Sequence, residues 1–299
     1  MKRLLFSLII AFIFLPNLKS SPSITTQEVD FDSPEGWGMA YMSAASLNLS
    51  DGFPEPINFG ELIFSAEIST IPELNSKQQK IGFGGLKYED LNKSPVFGKG
   101  KIKMGFYWDS ILEFSLTPSV EINGAKPDNL YGIALSKQLL TNEKLNLGAR
   151  IFSKSGNAVA DVTCSKDVVA QPLYTPGNPS GCIETSNDRI DLGHHGLEII
   201  IKPEYKNPKL KPWISLATTR IEPSVRIDAQ LELTREIALV KANGKLNTFS
   251  IGMNYLLSDK WVVFLGTSYT PLDVNRPNPA GGEDNFWNFR IGVSLVGIN

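Results

Sequence analysis

The sequence has little of what would indicate metal chemistry or a helical membrane protein. Its 299 residues include two cysteines, Cys164 and Cys182, and two histidines, His194 and His195. It contains no C-x-x-C pair, no metal-type cluster and no G-x-S-x-G motif, so no cofactor or metal centre is expected. Beyond residue 23 there is no run of eighteen apolar residues, which excludes a helical membrane protein.

Charge is also scarce. The net charge is −2 and charged residues make up 20% of the chain, so no nucleic-acid partner is indicated. The 25 glycines and 19 prolines, together with many serines, threonines and asparagines, favour strands and turns over helices.

The N-terminus has the pattern of a sorting signal. Lys2 and Arg3 precede an apolar run from Leu4 to Pro16 that is too short to span a bilayer. We predict a cleaved signal peptide over residues 1–23 and an N-terminal extension over 24–36, because an uncleaved anchor would need a longer run. Export to an oxidising compartment in turn predicts a disulfide between Cys164 and Cys182.

The strongest signal in the chain is alternation with a period of two. Near the C-terminus, Trp287, Phe289, Ile291 and Val293 alternate with small or polar residues, so a strand here has one apolar face. Eleven segments show this pattern, and no helical segment of similar strength occurs: 37–48, 59–69, 101–108, 112–117, 131–136, 145–151, 197–202, 211–220, 249–257, 261–269 and 287–295. We interpret 37–299 as one domain.

Short connections alternate with long ones such as 71–94, 156–190 and 221–245, and aromatic residues cluster at strand ends. In these features the sequence resembles the small outer-membrane β-barrel proteins of Gram-negative bacteria. The resemblance implies an all-β fold, with a single antiparallel transmembrane β-barrel of about 10–12 strands, short periplasmic turns and long extracellular loops. It also implies two partners, outer-membrane lipid and the barrel-assembly machinery.

Two features depart from this class. The chain ends on Asn299 rather than on an aromatic residue, and eleven strands is an odd number. Either a strand is missing from the set near 23–34 or 79–87, or 37–48 is not a barrel strand. A soluble periplasmic β-barrel binding module is the alternative, although the polar faces are unusually small and glycine-rich for a soluble surface.

Alternation assigns a set of side chains to the lumen. These candidate lumen-lining residues are Glu61, Glu67, Lys101, Lys103, Glu113, Arg150, His194, Glu198 and Arg290, and Lys202 has the same parity. Charges of both signs in a narrow interior are expected to pair and fill it, while inward glycines such as Gly132 and Gly148 could leave pockets. A selectivity lining is the other interpretation.

The leading function is therefore a non-enzymatic outer-membrane barrel, for passage or binding of an unknown small molecule or for a structural role. The alternative in a different class is a membrane-embedded lipid-modifying enzyme that uses His194 or His195. Asp191 and Glu198 lie near enough in sequence to orient an imidazole, although no nucleophile motif accompanies them.

Overall fold

The computed structural model describes residues 24–298, and the predicted signal peptide lies outside that range. The helices are α1 (Pro34–Ala45) and two single-turn helices, α2 (Gly82–Gly85) and α3 (Lys166–Val169). The strands are β1 (Thr25–Glu28), β2 (Leu62–Thr70), β3 (Lys80–Ile81), β4 (Lys87–Tyr88), β5 (Val96–Phe106), β6 (Ser110–Leu116), β7 (Ala125–Thr141), β8 (Leu145–Ala160), β9 (Asp188–Asp191), β10 (His194–Pro203), β11 (Leu210–Ile221), β12 (Ser224–Gln230), β13 (Arg235–Lys241), β14 (Gly244–Leu256), β15 (Trp261–Thr270) and β16 (Phe286–Ile298).

Ten of these strands form one closed antiparallel barrel. They are β2, β5, β6, β7, β8, β10, β11, β14, β15 and β16, and the ring closes where β16 pairs with β2. Ile291 lies opposite Ile68 in that last pairing. The predicted range of 10–12 strands is confirmed, and the number is even, as closure of an up-and-down wall requires.

The prediction of a strand over 37–48 is wrong, because this segment forms helix α1. Ser33 caps the helix by accepting a hydrogen bond from the Gly36 N–H at 3.1 Å, and Pro34 occupies the first turn. Trp37, Tyr41 and Ala44, at helical spacing, are buried. Residues between them are buried as well, so the helix lacks the polar stripe that would have shown its period in the sequence.

The connections divide the barrel into two ends. Tight turns at 107–109, 142–144, 204–209 and 257–260 define the short-turn end, and the long loops 71–95, 117–124, 161–193, 222–243 and 271–285 define the long-loop end. Helix α1 lies at the long-loop end. The Trp37 indole donates to Asp284 O at 2.9 Å, and the Tyr41 hydroxyl donates to Pro72 O at 2.6 Å.

Strands outside the ring extend the wall at the long-loop end. β9 pairs with the last residues of β8, the β12–β13 hairpin continues from β9, and β1 adds in parallel to β13. β12, β13 and all but the last residue of β9 lie within the connections 156–190 and 221–245, which the sequence predicted as loops. The described chain thus begins at the long-loop end, although β2 begins at the short-turn end. The chain must therefore pass through the barrel interior between α1 and β2.

The wall carries its apolar residues outside and its charges inside. On β16, Phe289 is 67% exposed and Ile291 53%, whereas Arg290 between them is 3% exposed. The other wall strands repeat this arrangement, with exposed residues such as Ile133, Ile151 and Leu265. A soluble barrel would place these residues in its core, so the exposed belt is the lipid-contacting face of a transmembrane barrel.

None of the described helices is long and apolar enough to cross a membrane.

Candidate functional site

The lumen is occupied by the chain's own residues 46–55, here called the plug segment. Five consecutive carbonyl oxygens of this segment each accept a hydrogen bond from a basic side chain of the wall. The contacts are Lys154 Nζ to Ser46 O (2.9 Å), Lys99 Nζ to Leu47 O (3.3 Å), Arg150 Nη1 to Asn48 O (2.6 Å), Lys101 Nζ to Leu49 O (3.1 Å) and Arg290 Nη2 to Ser50 O (2.8 Å). We call this set the carbonyl ladder.

The plug segment also donates to the wall. The Asn48 N–H donates to Nε2 of His194 at 3.2 Å, and the Ser50 N–H donates to Oε2 of Glu198 at 3.0 Å. Farther along, Asn254 Nδ2 donates to Asp51 O at 3.1 Å. A buried main chain without secondary structure has to find such partners, because each unsatisfied group costs free energy. The wall supplies such partners to Asn48, Ser50 and Asp51.

Buried acids balance the ladder cations. Glu67 lies 2.9 Å from Arg290 Nε and 3.2 Å from both Lys99 and Lys101. Arg150 on β8 bridges two acids, Glu198 of the adjacent strand β10 at 3.3 Å and Glu113 of β6, two strands away on the other side, at 2.7 Å.

The plug segment contributes an acid of its own, Asp51, which pairs with Lys101 at 3.7 Å and with Lys103. Around residues 46–51 there are thus six basic side chains but four acidic ones: Lys99, Lys101, Lys103, Arg150, Lys154 and Arg290 against Asp51, Glu67, Glu113 and Glu198. The excess of donors explains why plug carbonyls, rather than more acids, complete the network.

Glycines of the wall make room for the plug segment. A Cβ atom at Gly148 would lie 2.6 Å from Cγ of Pro54, and one at Gly132 would lie 2.9 Å from Nδ2 of Asn48. The pockets that these inward glycines could have left are therefore filled by the plug segment. At the short-turn end, Glu55 accepts from Lys202 at 2.9 Å and also pairs with Lys211.

The lumen-lining residues named from the sequence lie around the plug segment with one exception. Seven of them are buried inside the barrel: Glu67, Lys101, Glu113, Arg150, His194, Glu198 and Arg290. Lys103 is half-buried against Asp51. Glu61 instead lies at the short-turn rim, where its carboxylate accepts from Asn58 Nδ2 at 2.8 Å.

Sequence reasoning missed Lys99, Lys154 and Asp51. The alternation could have found the two lysines, since Lys99 has the parity of Lys101 on β5 and Lys154 that of Arg150 on β8. Asp51 precedes the first wall strand and carries no such signal.

The two histidines face different surroundings. His195 is exposed, whereas His194 is buried with Nδ1 2.9 Å from Leu192 O and Nε2 accepting from Asn48. The first contact assigns the proton to Nδ1 and leaves Nε2 as the acceptor. Both ring nitrogens are thus used in holding main chain, and His194 fixes the plug segment rather than facing a hydroxyl nucleophile.

The disulfide Cys164–Cys182 is present at the long-loop end and is buried. It packs against Ala229 of β12. The main chain of Cys182 also forms an isolated antiparallel β-bridge with that of Leu231, just after β12. The cross-link therefore fastens loop 161–193 to the β12–β13 hairpin. The fastened loop forms one side of a cleft of about 1350 Å³.

We expect reduction to loosen this loop but not the barrel. Denatured, unreduced protein should show no free thiol, and reduction should weaken the closed form of the loop by about 3 kcal/mol in the chain-entropy model. Limited proteolysis after reduction should cut within 165–187 while the heat-modifiable gel shift of the barrel persists. Two free thiols in protein from an oxidising compartment would contradict the bridge.

Loop 71–95 contains a buried carboxyl group with a shifted pKa. Burial raises the pKa of Glu89 to about 7, although Lys87 at 2.9 Å acts in the opposite direction. A carboxyl whose folded pKa lies above its unfolded value stabilises the fold at low pH. That contribution is lost as the pH rises through the folded pKa.

We therefore expect amide exchange in 79–91 to accelerate from about pH 5 to about pH 8, beyond the intrinsic effect of pH. The Glu89→Gln variant, which cannot ionise, should remove this additional acceleration. Equal pH dependence of the corrected exchange rates in both proteins would show that Glu89 does not titrate in this range.

No family model and no curated protein sequence matches this chain. Several solved structures are similar. The translocator domain of the autotransporter NalP from Neisseria meningitidis is 9% identical with a TM-score of 0.42, covering 86% of this chain and 92% of that one. The outer-membrane protease OmpT from Escherichia coli is 9% identical with a TM-score of 0.37, covering 79% and 94%. The N-terminal β-barrel domain of OprF from Pseudomonas aeruginosa is 9% identical with a TM-score of 0.25, covering 78% and 96%.

The closed antiparallel wall, its apolar outer face and its charged interior define a transmembrane β-barrel of the outer-membrane class. Within that class this chain has an occluded lumen, because its own N-terminal residues fill the interior.

Proposed function

We propose that the protein is a non-enzymatic outer-membrane barrel that binds small molecules at its long-loop end and in its wall, and that it has no open axial pore. The observation that carries the closed lumen is the carbonyl ladder, while the cleft of about 1350 Å³ beside the disulfide-fastened loop supports binding at the long-loop end. Opening a pore would require residues 46–50 to move out of the lumen. Five buried basic side chains would then lack these hydrogen-bond acceptors.

The energy of the ladder supports a closed resting state. A hydrogen bond that involves a charged group contributes about 1.5–3 kcal/mol, so five of them amount to something on the order of 10 kcal/mol. Removing the plug segment would also leave buried cations in excess of acids, which is strongly unfavourable. Thermal opening would therefore be rare.

The apolar belt and the predicted signal peptide support a place in the outer membrane, reached through the barrel-assembly machinery. The short turns would then face the periplasm and the long loops the exterior. In this orientation β1 and the N-terminal end of the mature chain lie outside the cell, together with the disulfide-fastened loop and its cleft.

Conductance tests the closed lumen. The refolded full chain in planar bilayers should give no steady conductance. A variant lacking residues 34–56, provided that it still gives a heat-modifiable band, should conduct. A large and stable conductance from the unaltered chain would contradict the proposal.

A further inference from the structure

The barrel wall has an opening near the long-loop end. β6 ends at Leu116, which pairs with Gly100 of β5 on one side and Tyr131 of β7 on the other. Beyond these pairs, residues 96–99 of β5 and 125–129 of β7 continue toward the long loops with no strand between them.

Two prolines lie beside this opening. Pro118 follows β6 and Pro127 lies on the facing part of β7, and neither has an N–H to donate across a sheet. Segment 117–122 stays linked to β7 by the Thr117 N–H to Leu130 O at 2.9 Å, by the Ser119 hydroxyl to Pro127 O, and by the paired backbone bonds of Ile122 and Ala125 at 2.8 and 3.0 Å, so the opening lies on its β5 side. Segment 117–122 therefore borders the opening without sealing it as a strand would.

An apolar cavity of about 280 Å³ lies behind the opening. Its lining joins the outside of the wall to the inside of the barrel. Ile68 and Val96 belong to the exposed apolar belt, whereas Tyr41, Met42 and Ala45 belong to α1 in the interior. The cavity thus forms a lateral passage from the lipid-contacting face to the helix.

The entrance determines which ligands can reach the cavity. Ile68 and Val96 face hydrocarbon, so the cavity is reached from lipid rather than from the aqueous lumen, which the plug segment fills. Apolar cavities disfavour water. A space of this size also lies just below the usual range for a whole drug-sized ligand, so one flexible hydrocarbon chain fits its chemistry best.

A cation lies at the mouth of the cavity. Lys126 is exposed and lines the entrance, while the other lining lysine, Lys93, is bound to Asp90 and Asp161 at 2.7 Å each. We propose that this cavity binds one acyl chain of an anionic membrane lipid, which enters from the leaflet at the long-loop end between β5 and β7 while its head group contacts Lys126. The proposal rests on the proposed function only for the membrane placement of the belt.

Photo-cross-linking tests the site in the full chain. The probe is phosphatidylglycerol with a diazirine in one acyl chain, mixed into phosphatidylcholine vesicles that contain the refolded protein. Cross-links should appear on the peptide of α1, residues 34–46, which bulk lipid cannot reach. Cross-links on the exposed face of β16 report ordinary lipid contact and serve as the internal reference.

A matched pair of variants on β8 separates the cavity from the lipid surface. Ala158 packs against the cavity and Ala149 lies on the outward side of the same strand. Ala158→Phe should lower the α1 cross-links at least tenfold relative to β16, and Ala149→Phe should leave the ratio unchanged. Lys126→Gln should lower the ratio several-fold for phosphatidylglycerol and little for a phosphatidylcholine probe.

Saturation provides a second measurement that needs no variant. Unlabelled phosphatidylglycerol should displace the probe from the cavity and so remove the α1 cross-links. The β16 cross-links should fall only in proportion to the dilution of the probe in the bilayer. Cross-links on β16 without any on α1 would overturn the acyl-chain site, and so would α1 cross-links that persist in Ala158→Phe. A conducting barrel that still shows saturable α1 cross-links would keep this site and refute the closed lumen.

Discussion

Replacing Arg150 with methionine is expected to lower the free energy of unfolding by about 3–5 kcal/mol, because it leaves two buried carboxylates without their cation. The Arg150 guanidinium contacts Glu113, Glu198 and the plug carbonyl of Asn48, and its side chain is 2% exposed. Methionine keeps most of the length of the side chain but cannot donate. Urea titration of the vesicle-bound protein, followed by the heat-modifiable gel shift, measures the effect.

Arg220 on β11 provides the matched control. It pairs with Glu222 at 3.1 Å, and both side chains are more than half exposed. Exposed pairs contribute about 0–1 kcal/mol, so Arg220→Met should change the free energy of unfolding little. If the two arginine variants were equally stable, Arg150 would not hold a buried charge network.

The second large effect concerns the lipid face. Ile291→Arg is expected to destabilise the inserted barrel by roughly 2–4 kcal/mol if its position is near the bilayer midplane. Ile291 is 53% exposed on β16, opposite Ile68 and Leu265 of the two neighbouring strands. In water, an arginine at so exposed a position would be tolerated.

Leu233→Arg separates a membrane effect from a general effect of arginine. Leu233 is 83% exposed and lies in the turn between β12 and β13, beyond the barrel wall. Its replacement should cost almost nothing in the same urea titration. Equal tolerance of Ile291→Arg and Leu233→Arg would contradict the placement of β16 against lipid.

The wall of the barrel could be predicted from the sequence because its signal is carried by side chains. Alternation such as that of Trp287, Phe289 and Ile291 marks one face of each wall strand, and ten of the eleven predicted strands lie in the ring. The strand predicted over 37–48 failed because α1 is buried on nearly all sides. When all faces are buried, the contrast between apolar and polar faces disappears, and both the helical and the strand periodicity depend on that contrast.

The closure of the lumen could not be predicted in this way. The carbonyl ladder uses main-chain oxygens of residues 46–50, and every residue has such an oxygen, so no residue type marks the segment. The basic partners Lys101, Arg150 and Arg290 were assigned inward by parity alone. Parity gives the face of a strand but not the chain that the face contacts. The predicted pairing of lumen charges among themselves therefore describes only part of their contacts.

Hydrogen exchange of the plug segment tests the central claim most directly. Residues 46–55 belong to no helix or strand, so in an open or mobile segment their amides would exchange within seconds. The structure buries residues 46–52 and fixes the Asn48 and Ser50 N–H groups on His194 and Glu198. In nanodiscs, the peptide that covers 46–52 is expected to exchange as slowly as the wall strands β5 and β8. Exchange as fast as that of the exposed turn 204–209 would contradict a lumen closed by its own chain.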